Sequence, residues 1–430
     1  MSHAAVTHRV GWLNSRRLRT HGLIVAVILW SVYAWDMSPP GLLDHYGLLK
    51  GSDFLHFYTL GFLAAHHNGA LLYDGVAQEQ LVRVLVPQSP PARFVPLYGP
   101  QVSILLAPLG CLPYGRAVLL WILCNAVVYF LCCYLVWRHC EHLVDHPGTV
   151  ALLAIAFPGL FHLLTFGQSS GLALVAFTLA FLAYSARRYT LAGCACGLLA
   201  LKPQLGLAAA VLFILSLEWK VVLGALCSIA AQAAIAWAYY GSGVLEAYLH
   251  RLLELPHVPR WLLEPKLYQL FSFRGFWSLL VPWPLWAFLL YVASSLIVLF
   301  LAAKIWLGPF SWNLRFSILL MTSVLIAPHL LVYDLVILAP AFLLLADWLL
   351  SARSSLAQFA GARYFQTLAT LLYFSYLLSI AEDLTQWTRF QLETLTLFAL
   401  MWMVVRTAPR LDLANADDEV PRSCSFLSAK

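Results

Sequence analysis

The chain has 430 residues, of which 61% are hydrophobic, 14% aromatic and 11% charged. Soluble domains carry roughly 25% charged residues, so this composition excludes a soluble enzyme and specifies an all-α polytopic membrane protein. Its net charge of +6 is scattered over the ends of apolar runs and forms no dense basic stripe, which excludes nucleic acid as a partner and leaves membrane lipids.

In chain order, Arg9, Arg16, Arg17 and Arg19 precede an apolar stretch from Gly22 to Trp35, read as an uncleaved first span because further spans follow. About twelve transmembrane helices are expected, near 22–38, 116–137, 149–166, 168–186, 190–201, 203–218, 221–240, 276–303, 314–327, 333–350, 365–381 and 389–405. With both termini cytoplasmic, most of the 26 lysines and arginines fall on the inner side. Joining 190–218 into one span inverts everything downstream and removes that bias, so the break at Lys202 and Pro203 is kept. Interrupted helices are tolerated where protein or a water-filled cavity covers the freed backbone groups. Two long outer loops, 39–115 and 241–275, mix aromatic, basic and apolar residues and are expected at the membrane surface. Nine cysteines, six of them (Cys124, Cys132, Cys133, Cys194, Cys196, Cys227) inside apolar runs, suggest small hydrophobes, with neither a disulfide framework nor a zinc site. The membrane domain is placed at 1–410, with a disordered cytoplasmic tail at 411–430.

Several polar residues stand out against this apolar background. Asp53, in GSDFLHFY, follows the first span on the outer side; a carboxylate there serves as a general base or as a helix cap. Lys202, in LALKPQLGL, interrupts an apolar stretch, where a charge costs about 2.5–3.5 kcal/mol unless it reaches water or an anion. A lipid phosphate is one such anion; snorkelling to the headgroups is the alternative. His329 and Asp334, in APHLLVYDL, mark another outer span end, as phosphate or sugar contacts or as helix-end groups. Gln168, in FGQSSGL, either binds sugar hydroxyls or closes a turn. Arg93, Tyr98 and Gln101, in RFVPLYGPQ, return the first loop to the membrane; Arg93 suits bidentate phosphate contact or interfacial anchoring. No HExxH, Walker loop, GxSxG or GxGxxG context is present, and paired acidic metal ligands are absent.

The ordered set of Asp53 in GSDFLHFY, then LLYDG, VPLYGPQVSILLAPLGCLP, LTFGQSSGLALVAF, AGCACGLLALKPQLGL and APHLLVYDL resembles the family 87 glycosyltransferases over most of the chain. The resemblance implies the GT-C membrane fold and an inverting hexosyltransferase. A polyprenyl-phosphate sugar, typically mannose, would be the donor, and a lipid or glycan hydroxyl of the cell envelope the acceptor. It further implies Asp53 as base, Lys202 as the lysine of the KPQ element, His329 as the histidine of the PH element and Gln168 as the GQ turn. Here GQSSG stands where asparagine often follows the glutamine, and VPLYGPQ replaces a common YPP pattern. Gln269 and Ser272, in YQLFSFRG, faintly match an NQS element. The scheme requires no metal and no cofactor. The family's usual setting implies a bacterial inner membrane, and a monomer is expected. A polytopic lipid or sugar transporter or flippase is the alternative, since broken helices and an intramembrane lysine also suit that class; the long first loop and the lack of related halves weigh against it.

Overall fold

The computed structural model describes residues 14–91, 94–263, 266–352 and 362–419. Among them there is no β-strand, and isolated bridges pair Leu43 with Leu49 and Leu270 with Leu331. The chain opens with α1 (Ser15–Asp36). The stretch 39–113 carries α2 (Phe54–Ala65), α3 (Gly75–Leu85) and α4 (Pro100–Gly110), and leads into α5 (Tyr114–Trp137). Next come α6 (Pro147–Ile155), α7 (Pro158–Phe166), α8 (Ser170–Ser185), α9 (Tyr189–Gly197), α10 (Pro203–Leu215) and α11 (Trp219–Tyr240). The stretch 241–283 holds α12 (Ser242–Glu254), α13 (Arg260–Leu263) and α14 (Phe273–Leu280). It is followed by α15 (Pro284–Leu307), α16 (Trp312–Ile326), a 3-10 turn (Val332–Ile337) that runs into α17 (Leu338–Ser351), α18 (Ala362–Leu377), α19 (Glu382–Thr388) and α20 (Leu392–Glu419).

Among the described residues, α1, α5, α11, α15 and the continuous Val332–Ser351 segment are long and apolar enough to cross a membrane singly. Two bent pairs raise these five to seven, and shorter apolar helices occupy most of the other expected span positions. The span expected at 149–166 is one of the bent pairs, with α6 and α7 meeting at 43°. Its cause is Pro158, which has no N–H to continue the ladder and whose ring collides with the preceding turn. The span expected at 276–303 is likewise two helices, because Pro282 and Pro284 end α14 and start α15. In the same way Pro203 opens α10 after a 3-10 turn at Leu198–Leu201, which leaves Lys202 between two short helices as expected. At the C-terminus α20 runs past position 411 to Glu419; positions 420–430 of the expected tail lie outside the described residues.

The core is built around α16 and the Val332–Ser351 segment, which are buried nearly throughout and covered by α5, α7, α8, α10, α15 and α20. By contrast α1, α11 and α15 carry exposed apolar side chains along their lengths, among them Leu23, Val27, Leu223, Trp237, Leu289 and Phe300, the pattern of lipid-facing spans. A second core joins α2, α4 and α5. There α2 departs from expectation. Its mixed sequence suggested a helix lying on the membrane surface, yet nearly every residue from Phe54 to Ala64 is buried. Neighbouring helices take its faces, and Thr59 turns its hydroxyl back to the Leu55 carbonyl at 2.8 Å.

Candidate functional site

Asp53 is placed by two interlocked turns. Gly51 and Gly167 both adopt left-handed backbone conformations, with φ of 65° at each, which only glycine takes without cost. The turns press together so closely that a Cβ on Gly167 would lie 2.9 Å from the Cβ of Phe54. The Asp53 N–H donates to the Phe166 carbonyl at 3.1 Å. Tyr114 donates its hydroxyl to the Lys50 and Gly51 carbonyls, and Trp121 donates its indole N–H to the Gly167 carbonyl at 2.8 Å. The GSD and FGQ segments are thereby fastened to each other and to α5.

This docking brings Gln168 to Asp53. Gln168 Nε2 donates to Asp53 Oδ2 at 3.0 Å, while Ser52 Oγ makes a longer 3.5 Å contact with Oδ1. Asp53 precedes α2 but makes no side-chain capping bond there, so the cap alternative does not describe it. The residue is half-buried and lies outside the segments able to cross the membrane. Burial pushes its carboxyl above the ordinary range, while the hydrogen bond from Gln168 and the ammonium groups of Lys266 and Lys202 pull it back.

The anion that Lys202 requires comes from within the chain. Lys202 Nζ lies 2.7 Å from Asp334 Oδ1, and the two side chains are 4% and 2% exposed. The same ammonium donates to Ser170 Oγ at 2.9 Å and to Gln168 Oε1 at 3.3 Å, and it stands 5.1 Å from the centre of the Tyr333 ring. Ser170 donates to Asp334 Oδ1 at 2.6 Å, and Asp334 Oδ2 accepts the Leu331 N–H at 3.2 Å. Asp334 is therefore both counter-ion and helix-start group. A continuous polar chain runs from Asp334 through Lys202 and Gln168 to Asp53.

The other expected residues are distributed unevenly. Tyr98 is half-buried, and its hydroxyl feels the charges of Lys202, Asp334 and Asp53. His329 sits half-buried in the turn before Val332–Ile337. Arg93 lies outside the described residues. Gln101 is in the first turn of α4. Gln269 donates to Glu382 at 3.3 Å and Ser272 is buried at the start of α14; neither joins the Asp53 chain. Three participants were not singled out from the sequence: Ser170, Tyr333 and Lys266. Lys266 is exposed and approaches the Phe166 ring at 5.8 Å. A lysine beside proline in the second outer loop was its only signal. Among the described residues no group of three or more His, Cys, Asp or Glu side chains is arranged to hold a metal ion.

Chemically, the arrangement offers one partly accessible carboxylate with a fixed orientation, one neutralised buried cation behind it and one exposed cation beside it. No curated protein and no solved structure matches the chain. The family model for glycosyltransferase family 87 does match, over residues 97–333, more than half of the sequence. Tyr98, Gln168, Lys202, Lys266 and His329 lie inside that stretch; Asp53 and Asp334 lie outside it.

Proposed function

The chain belongs to glycosyltransferase family 87, and on that premise we propose that it moves a hexose, mannose by the family's habit, from a polyprenyl-phosphate donor to a hydroxyl of an envelope lipid or glycan. The proposed setting is a GT-C fold in a bacterial inner membrane, with both termini cytoplasmic and the Asp53 turn at the outer face. The protein acts as a monomer. A polyprenyl chain lies among the exposed apolar helices while its sugar phosphate reaches the turn.

In the proposed reaction Asp53 accepts the proton of the acceptor hydroxyl. The freed oxygen forms a bond to the anomeric carbon from the face opposite the phosphate, which inverts the configuration. The anomeric carbon–oxygen bond breaks with its electron pair leaving on the polyprenyl phosphate. Of the available cations, Lys266 suits the departing phosphate best, because Lys202 already shares its charge with Asp334 whereas Lys266 is exposed. His329 and Tyr98 are assigned to the sugar phosphate and sugar as hydrogen-bonding groups, and Arg93 to the phosphate. Against the transporter alternative stand the long loop at 39–115 and the lack of related halves in the sequence.

The observation that carries this reading is Asp53 gripped at 3.0 Å by Gln168 within reach of two ammonium charges. The test is Asp53→Asn, which keeps the shape and removes the base. With purified protein, labelled polyprenyl-phosphate hexoses and a panel of envelope acceptors, transfer is expected to fall about 10²–10⁴-fold while the unfolding midpoint stays put. Undiminished turnover in that variant rejects Asp53 as base.

A further inference from the structure

A cleft of about 970 Å³ opens between the first outer loop and α12, and Asp53 is not among its lining residues. One wall carries Tyr73 and Phe94; the other carries His250, Arg251, Glu254 and His257. Arg251 ties the walls together, donating to the Tyr73 carbonyl at 3.1 Å and to Glu254 at 3.0 Å. His250 Nδ1 stands 3.2 Å from Glu254. Asp74 also lines the cleft, with its carboxylate accepting the Val76 and Ala77 N–H groups at the start of α3. Among the described residues that line the cleft, one guanidinium stands with two carboxylates, Asp74 and Glu254. What it offers is a set of mixed donors and acceptors beside aromatic faces, which is the chemistry that recognises neutral hydroxyl-rich ligands.

A second observation points the same way. His56 is 6% exposed, and among the described residues neither of its ring nitrogens has a hydrogen-bond partner. Leaving buried polar atoms unpaired is costly, and such atoms in a folded protein call for an explanation. The ring is caged by Phe94 and Tyr98, with centroids 4.8 and 5.7 Å away. Phe94 therefore belongs both to the cleft wall and to the His56 cage. His56 lies one turn beyond Asp53, with its N–H on the Asp53 carbonyl at 3.3 Å. Burial holds the imidazole down to about 4, so it is neutral and presents one donor and one acceptor, as a hydroxyl requires.

Resting on the transferase reading above, we propose that this cleft is the acceptor site: it seats a neutral saccharide between Tyr73 and α12 and directs the reactive end past Phe94 toward His56 and Asp53. The occupant is a hydroxyl-rich glycan or the sugar headgroup of a glycolipid.

The test uses the full chain in lipid nanodiscs, with methyl α-mannoside, methyl α-glucoside and methyl α-galactoside as probes read by saturation-transfer NMR. At least one probe is expected to bind the wild type, and Arg251→Met and His56→Phe are each expected to weaken it about tenfold or more. Arg251→Met changes a partly exposed rim residue, so it reports on the cleft even if His56→Phe fails to fold. Binding of every probe unchanged by Arg251→Met, no binding of any probe, or displacement of a bound probe by inorganic phosphate overturns the proposal. Transfer by the wild type is scored separately. If no polyprenyl donor supports transfer while Arg251→Met still abolishes hexoside binding, the transferase mechanism falls and the saccharide cleft stands.

Discussion

Replacing Lys202 with methionine tests the polar chain at its most buried point. The ammonium is 4% exposed and its partner carboxylate 2%, at 2.7 Å. Both charges have lost their water, and each depends on the other. Removing one member of such a pair strands its partner, which costs about 3–5 kcal/mol. Asp334→Leu should destabilise comparably, because it strands Lys202 and also frees the Leu331 N–H. The double variant Lys202→Met with Asp334→Leu leaves no buried charge and should be more stable than the two single effects predict, with a coupling energy of about 1–3 kcal/mol. Stability is read from unfolding midpoints of purified protein in SDS titrations, and transfer is read in parallel. The double variant is expected to regain stability without regaining transfer, because Gln168 loses the 3.3 Å bond that helps hold it against Asp53. Single effects that add within about 0.5 kcal/mol refute the buried pair and return Lys202 to the pool of cations free for a lipid phosphate.

Two further outcomes follow from the surroundings of Asp53. In Gln168→Leu the hydrogen bond that favours the ionised carboxylate is gone, so the carboxyl pKa rises further. On the proposed mechanism, with Asp53 as base, the base is then protonated at a higher pH, and the acid limb of the kcat/KM profile should move upward; a limb that stays or moves down removes Gln168 from this role. Lys266→Met removes an exposed charge that also lowers the Asp53 pKa, so the limb should move in the same direction. If Lys266 receives the departing phosphate, transfer should also drop by about 10–100-fold, the worth of a charge-assisted hydrogen bond, with the unfolding midpoint unchanged. A variant with wild-type kcat/KM at its optimum pH removes Lys266 from the reaction.

The apolar helices were legible because long runs of hydrophobic side chains need lipid or core around them, and the break at Lys202 was legible because proline cannot continue a helix. The bends at Pro158 and Pro284 obey the same rule and went unread, since each falls inside a run whose hydropathy alone supports one span. The burial of α2 was hidden for a different reason. Aromatic and polar residues at helical spacing look the same in a surface helix as in one whose polar groups are satisfied by its own backbone or kept waiting for a ligand. Least legible were the pairings. Nothing in GSDFLHFY or FGQSSGL announces that they touch, because their contact depends on two left-handed glycine turns packed face to face. Nor does LALKPQ reveal that its anion is Asp334, far along the chain.

Those pairings change what the two lysines can do. An ion pair as closed as Lys202 with Asp334 cannot release its cation to a passing phosphate without stranding the carboxylate, so its contribution to chemistry is geometric: it fixes Gln168, which fixes Asp53. A charge needed only while a phosphate departs belongs on a residue that can meet and release it, and an exposed loop lysine satisfies that condition. Lys202 lies buried at a proline break, and Lys266 lies exposed between α13 and α14. On this division of labour, Lys202→Arg should disturb folding and the pH profile, because a planar fork does not fit a pocket built for a compact ammonium, whereas Lys266→Arg should keep most of the transfer activity.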